Sequence, residues 1–427
     1  MNPTFPHHPA RRGAPLFGAW PSPVRRLFLA RFLRSLTQGC LVVDFALYLR
    51  LLHWTGSAIG TLLAGSFVLG ALLSLAVGPA SDRFGCKRLL VGYELATGMA
   101  FFATAWTSNP WIIGVSAVFA GFGRGANGAP GCFVPAELSW LATHVPANRR
   151  GAAFSINTAA GFLGMGLGAI LAIAPSLWPV ALPGVSGYRP LFLFGGVVAL
   201  SIAALLYATP EQPFHGAAAQ SSGEDYRPTR ALRPDERRRL WQVGLISLFS
   251  GLSLGLSGPL IAYWYAVKFH LDPLHIAPVL ALAQFAAAGA AVGTGTLTQK
   301  FGTARTFVLL QTVGAILLFG FPFIGSFELA ALVWITRFAI ERGAAGAMEA
   351  VVMGLVGAGK RGLAGGLSTA SLALPRALGP FAAGHWIAEG DLARPFLTAA
   401  VLQLLYVGLF GNAFLPRSQR TGKSGLA

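Results

Sequence analysis

Five carboxylates and six guanidiniums sit inside stretches otherwise built of Leu, Ala, Gly and Phe. They are Asp44, Glu94, Glu137, Glu341 and Glu349, with Arg31, Arg34, Arg124, Arg337, Arg342 and Arg376. An ionisable group in an apolar surround is costly unless it is paired or hydrated, so each is a functional candidate. Two kinds of chemistry are open to them. A buried carboxylate can take up a proton and give it back when a nearby arginine alternately faces it and leaves it. A buried arginine can also hold the carboxylate or phosphate of a solute through charge-assisted hydrogen bonds. The three cysteines, Cys40, Cys86 and Cys132, are far apart, and no zinc, haem or catalytic-triad spacing occurs. No cofactor or metal is expected.

The elements that position these groups follow from composition. Of 427 residues, 54% are hydrophobic and 11% charged, 54 are glycine, and the net charge is +17. Soluble domains carry about 25% charged residues, so a soluble enzyme, a disordered tail and a disulfide scaffold are excluded. A basic balance can signal nucleic acid, but the apolar share argues against it. Apolar stretches near 20 residues long read as membrane helices. Twelve are expected, at 27–50, 56–78, 89–107, 111–138, 152–174, 190–208, 241–267, 274–297, 306–325, 330–356, 363–387 and 395–415. The long polar segment 209–240 divides them six and six. The expected organisation is a tail (1–26), a six-helix bundle (27–208), a linker (209–240), a second bundle (241–415) and a tail (416–427).

Charge fixes the expected orientation. The termini, the linker and the loops on that side hold 22 Lys and Arg, against four on the other side (Arg50, Arg189, Lys268, Arg394). Cytoplasmic loops carry the excess of Lys and Arg, so both termini and the linker are expected in the cytoplasm, in a multi-pass protein of a bacterial inner membrane. The surplus of positive charge is thus an orientation signal.

The halves repeat. Gly78-Pro-Ala-Ser-Asp82-Arg83-Phe84-Gly85 returns as Gly295-Thr-Leu-Thr-Gln299-Lys300-Phe301-Gly302, and Arg124-Gly-Ala-Asn127-Gly-Ala as Arg342-Gly-Ala-Ala-Gly-Ala. Six spans is an even number, so the copies share one orientation and are related by an axis along the membrane normal. Transporters built from parallel repeats have this layout, with substrate held between the halves near the midplane.

On these residues the chain resembles the major facilitator superfamily over roughly 27–415. The family pattern G-x-x-x-D-R-x-G-R-[KR] appears as Gly78, Asp82, Arg83 and Gly85, followed by Cys86, Lys87 and Arg88. The family pattern R-x-x-Q-G appears as Arg124, Asn127 and Gly128. The resemblance implies an all-α protein of twelve transmembrane helices in two pseudo-symmetric bundles, with helices 1, 4, 7 and 10 lining a central cavity. It also implies that Arg124 serves proton movement. The activity implied is secondary active transport of a small organic solute by alternating access, proton-coupled, and not enzymatic. Export and uptake both fit, with export slightly favoured, although 161–168 lacks the Gly-Pro pair that marks drug–proton antiporters of the family. An intramembrane enzyme or scramblase on the same architecture is the rival. The partners expected are a small-molecule substrate, protons and membrane lipid, with no nucleic acid and a monomeric chain.

Depth sorts the charges, at 1.5 Å per residue. Arg31, Arg34, Glu94, Glu137 and Glu349 fall near the cytoplasmic edge, where they are expected to snorkel or to join the loop charges. Arg124, Glu341, Arg342 and Arg376 fall near the midplane, and Asp44 lies in the outer half of helix 1. The expected coupling and substrate set is Asp44, Arg124, Asn127, Glu341, Arg342, Glu349 and Arg376. Asp44 and Glu341 are its candidate proton carriers, and Arg124 and Arg342 their switching partners. Arg337 and Glu341, four apart, could simply neutralise each other, and an arginine could instead bind an anionic substrate. Gly78, Asp82, Arg83, Gly85, Lys87 and Arg88 are the expected cytoplasmic gate. Tyr263, Trp264 and Tyr265 read first as an interfacial belt and second as a cavity wall or outer gate. Gly354–Arg361 imitates a phosphate-binding loop, but Arg361 replaces the required hydroxyl and no strand precedes it. ATP binding is therefore not expected.

Overall fold

The computed structural model describes residues 20–124, 134–146, 150–177, 184–210, 234–354 and 361–414. Its helices are α1 (Ser22–Leu51), α2 (Gly56–Phe84), α3 (Cys86–Trp106), α4 (Pro110–Ala120), α5 (Val134–Thr143), α6 (Arg150–Leu171), α7 (Ala174–Leu177), α8 (Arg189–Tyr207), α9 (Pro234–Ser257) and α10 (Ile261–Lys268). They continue as α11 (Pro273–Phe301), α12 (Thr303–Gly320), α13 (Phe327–Gly354), α14 (Arg361–Ala388) and α15 (Arg394–Phe414). No strand occurs among the described residues. Eight helices are long and apolar enough to cross a membrane, and the bent α9–α10 pair makes a ninth if counted as one span. The chain is an all-α, multi-pass membrane protein, and each of the twelve expected spans falls on a helix or a pair of helices.

Two expected spans are not continuous. The fourth, 111–138, stops at Ala120, because Gly121 and Gly123 both take φ +74°. That conformation ends a right-handed helix. Residues 125–133 lie outside the described residues, and α5 follows. The seventh, 241–267, breaks at 258–260 and bends by 42°. Pro259 lacks the N–H that would continue the ladder. Several ends also run past the expected limits. α1 starts at Ser22, α2 reaches Phe84, and α9 begins at Pro234, inside the segment expected to be linker. Hydropathy closes a span at its first charges, but the backbone hydrogen bonds of a helix do not depend on side-chain polarity. The Gly78–Arg83 part of the loop motif is therefore helical, and the turn itself is Gly85.

The repeat is visible in the backbone. Gly85 caps α3 at φ 84°, ψ 145°, and Gly302 caps α12 at φ 82°, ψ 149°. Both joints need the positive φ that glycine takes without strain. The packing repeats too. α1 lies against α6 where Gly39, Gly164 and Gly168 let the backbones touch, and α9 lies against α14 at Gly251, Gly255 and Gly379. Small residues that admit close backbone approach are the usual solution for helix association in lipid. Contact between the first six spans and the last six runs through α2 with α14 and α6 with α11. At the end opposite the chain termini this contact is backbone on backbone. Gly56 faces the Gly384 carbonyl, and Gly60 faces the Pro380 carbonyl and Gly384 Cα. That end is closed down to mid-depth, where Phe67 of α2 meets Arg376 of α14.

Candidate functional site

The acids and arginines segregate into three settings. The first is at mid-depth on α13. Glu341 accepts two cations: Arg337 Nη2 lies 3.0 Å from one carboxylate oxygen and Arg342 Nη2 lies 3.3 Å from the other. Arg337 is 1% exposed, and its Nη2 also lies 3.5 Å from the Ser257 hydroxyl on α9. Arg376, 6% exposed on α14, lies within electrostatic range of Glu341 and Arg342. Its guanidinium sits 5.3 Å from the centre of the Phe67 ring, contributed by α2 of the other half. Among the described residues, Nε and Nη1 of Arg337, Nε of Arg342, and Nε and Nη2 of Arg376 have no hydrogen-bond partner. Among the described residues, two guanidiniums therefore pair with one carboxylate, a third lies within its electrostatic range, and five buried N–H-bearing nitrogens have no partner.

The second setting lies wholly in the first half. Arg34 Nε donates to Glu94 Oε1 at 2.6 Å, and its Nη1 donates to Glu137 Oε2. Asn157 Nδ2 completes Glu137 with a bond of 3.0 Å to Oε1. Arg31 lies beside Gly161 of α6, within range of Glu137. These groups were expected to snorkel or to join the loop charges. Instead they form an internal network tying α1, α3, α5 and α6. Arg34, Glu94 and Glu137 are buried among neighbouring helices and satisfy their charges on one another, whereas Arg31 is half-buried and its Nε has no partner among the described residues. A cavity of about 20 Å³ beside them, lined in part by Arg34, Thr37, Gln38, Glu94 and Thr97, is large enough for one water molecule.

The third setting is Asp44. It is 1% exposed on α1; Cys40 Sγ donates to its Oδ2 at 3.7 Å, and its Oδ1 has no partner among the described residues. Tyr188 lies within electrostatic range. The expected pairing of Asp44 with Arg124 does not occur. Arg124 follows the break after α4 and turns towards α2, where its Nη1 donates to the Ser66 carbonyl at 3.0 Å beside Gly70. The helix break redirects it.

Of the remaining expected residues, Asn127 lies outside the described residues, as do the side chains of Glu349 and Asp82 and the surroundings of Gly78. In the motif turn, Arg83 and Arg88 are exposed, and Lys87 stands 5.2 Å over the Tyr207 ring. Tyr263, Trp264 and Tyr265 do not form an interfacial belt. Trp264 and Tyr265 are fully buried among Phe269, Phe321, Phe327 and Phe396. Trp264 Nε1 donates to the Leu392 carbonyl and Tyr265 Oη to the Ala330 carbonyl. They plug the second half at the end opposite the termini, while Tyr263 faces Gly56 across the closed contact. Sequence reasoning missed Ser257 and Phe67, which carry no motif. It also missed the Arg34–Glu94–Glu137 pairing, whose only signal was opposite charge at similar depth on different spans.

Comparison with known proteins agrees with this architecture. The sequence profile of the Major Facilitator Superfamily matches residues 27–340. A gallate transporter of Pseudomonas putida is 28% identical over 151 residues, which is 35% of this chain and 31% of that protein. The chain therefore matches about a third of the length of that curated relative. Among solved structures, a point mutant of the nucleoside transporter NupG aligns with a TM-score of 0.71 at 14% identity, covering 92% of this chain and 100% of that one. A D-xylose–proton symporter gives 0.71 at 16%, covering 92% and 98%. A bacterial homologue of the human lysosomal transporter Spinster, inward-facing and occupied, gives 0.70 at 15%, covering 94% and 97%. At such identities the likeness is one of fold. With the profile running through nine of the twelve spans and into the tenth, and the repeat written in both sequence and backbone, the chain belongs to the Major Facilitator Superfamily, and it is a membrane transporter rather than an enzyme.

Proposed function

We propose that the protein is a proton-coupled secondary transporter of a small organic anion bearing a carboxylate, working by alternating access between the bundles 27–208 and 241–415. One observation carries this reading: among the described residues, Arg337, Arg342 and Arg376 converge at mid-depth on one acid, Glu341, where the halves meet. A surplus of buried guanidinium is stable only when an anion completes it. The gallate transporter it partly matches handles an aromatic carboxylate, which agrees in chemical class. Asp44 and Glu341 are the acids proposed to carry protons, and the Asp82–Arg88 turn the proposed cytoplasmic gate. Both termini face the cytoplasm of a bacterial inner membrane, and one copy, embedded in lipid, suffices.

Charge also bears on direction. A membrane potential opposes the entry of a monoanion by about 2.3 kcal/mol per 100 mV, and one accompanying proton cancels that cost. Coupling to protons thus has a use in uptake that it lacks in anion export, so uptake takes precedence over the export favoured from sequence. The test uses purified protein in liposomes with labelled gallate, and the neutral amide of gallate as control. Gallate should accumulate when an inward proton gradient is imposed and only equilibrate when the gradient is collapsed, and the amide should not move. Equal movement of acid and amide, or accumulation indifferent to the proton gradient, would overturn the reading.

A further inference from the structure

We infer that the cavity beside Arg34 binds one ordered water molecule, and that this water completes a polar joint at the break in the fourth span. The inference is independent of which solute is transported. It concerns how a helix broken inside the membrane keeps its backbone satisfied.

The break creates the need. In an unbroken helix the carbonyls of Val118 and Ala120 would accept from the N–H groups of Phe122 and Arg124. Here the Phe122 N–H goes to the Ala117 carbonyl at 3.1 Å, which already holds the Gly121 N–H at 2.8 Å, and the Arg124 N–H goes to the Gly121 carbonyl at 3.2 Å. The positive φ of Gly121 and Gly123 forces this detour. The Val118 and Ala120 carbonyls have therefore lost their helical donors. Breaks of this kind are tolerated in membrane helices where Ser or Thr side chains and ordered water take over the freed backbone groups.

The cavity lies against that end of α4. Ala120 and Gly121 contribute to its lining, with Arg34 and Thr37 of α1 and Glu94 and Thr97 of α3. Its volume of about 20 Å³ suits one water, which needs about 10–15 Å³ and two to four polar partners. The lining supplies unused polar atoms of both kinds. Thr97 is 8% exposed, and its hydroxyl is buried with no partner among the described residues. Arg34 uses Nε and Nη1 on the two glutamates, which leaves Nη2 as a donor, and Glu94 uses Oε1 on Arg34, which leaves Oε2 as an acceptor. Thr37 donates its hydroxyl to the Arg34 carbonyl and keeps its lone pairs. A small neutral molecule that both donates and accepts fits this lining. A metal ion does not, because among the described residues Glu94 and Glu137 are already matched by Arg34 and Arg31, and an added cation would lie buried beside a guanidinium without compensation. The same cluster reaches the far side of the break, where Arg34 holds Glu137 in the first turn of α5. Both pieces of the fourth span are thus tied to α1 and α3, α4 through the water and α5 through the carboxylate.

Radiolytic hydroxyl-radical labelling of the full-length protein in detergent tests this, since the radicals form from water and oxidise side chains beside an ordered water even where those are buried. Phe101 and Phe122 line the cavity and are buried, whereas Phe307 and Phe410 are equally buried in a separate apolar cluster. The first pair should be oxidised severalfold faster than the second. Ala199→Val adds two methyl groups to the lining without removing a polar group. It should slow Phe101 and Phe122 to the rate of the other pair, whose own rate stays unchanged. Equal rates for the two pairs in the wild type, a comparison that needs no variant, would overturn the inference. So would a folded Ala199→Val that keeps the fast labelling, because the water would then lie elsewhere. A wild type whose half-life on heating is longer in sodium chloride than in equal choline chloride, with the difference lost in Ala199→Val, would put a cation in the cavity and overturn the assignment to water.

Discussion

Gly60 is the position where one added carbon tests how the halves close. A Cβ there would fall inside contact distance of the Pro380 carbonyl and 3.0 Å from Gly384 Cα. Both obstacles are backbone, so no side-chain rotation relieves them. Overpacking of this kind costs about 1–3 kcal/mol. Because the contact exists only when the α2–α14 end is shut, that cost falls on one of the two states of the rocking equilibrium. Gly60→Ala should therefore shift the ratio of open to closed at that end by about 5- to 140-fold, taking 1.4 kcal/mol per factor of ten. The general effect of replacing a helical glycine, a gain of up to about 1 kcal/mol, is controlled by Gly65→Ala on the same helix. There the nearest atom is a Val118 methyl at 3.7 Å, an ordinary contact. The assay is double electron–electron resonance between spin labels at Leu51→Cys and Glu389→Cys, both exposed at that end, with Cys40, Cys86 and Cys132 replaced by serine. Gly60→Ala should gain a longer-distance population that Gly65→Ala lacks. Indistinguishable distance distributions from the two variants would refute the reasoning.

Two further outcomes concern stability. Arg34→Leu leaves Glu94 and Glu137 buried without their shared cation, and removing one partner of a buried pair costs about 3–5 kcal/mol. The half-life of the purified protein on heating should fall sharply, and Glu94→Gln with Glu137→Gln in the same chain should restore much of it; additive losses across the three changes would contradict the network. Trp264→Ala should cost about 3–5 kcal/mol by emptying the aromatic plug, whereas Trp106→Ala and Trp111→Ala, at side chains 73% and 81% exposed in the protein alone, should leave its thermal inactivation nearly unchanged. Equal effects at all three tryptophans would return Trp264 to an interfacial belt.

The sequence made the fold legible because lipid leaves the backbone few choices. A helix is the form that satisfies its own N–H and C=O groups in hydrocarbon, so apolar length alone located twelve spans. Hydropathy could not register the breaks, because Gly121, Gly123 and Pro259 act through φ and a missing N–H rather than through polarity. The candidate site was legible in its membership and only partly in its pairing. Arg337 and Glu341 share a face by spacing, and they do pair. Asp44 and Arg124 belong to different spans, and whether they meet depends on helix rotation and on a break that no periodicity encodes. The Arg34–Glu94–Glu137 network was hidden for the same reason: its three members are brought together by packing, not by spacing along one helix.

Arg124 and Arg342 stand at equivalent points of the repeat, yet their settings differ, and the residue before each accounts for it. Gly121-Phe-Gly123-Arg124 corresponds to Ala339-Ile-Glu341-Arg342. In the first half Gly123 takes φ +74° and the helix has already ended, so Arg124 leaves the helical path and reaches the Ser66 carbonyl on α2. In the second half the same position is Glu341, α13 runs through unbroken, and the glutamate is held in register to meet Arg337 one turn earlier and Arg342 beside it. A side chain at φ +74° would be strained, so the first half could not have carried this acid without giving up its break. The two repeats therefore differ in structure at this point: a bent segment with its arginine turned onto a backbone carbonyl in one, and a carboxylate between two arginines of an unbroken helix in the other.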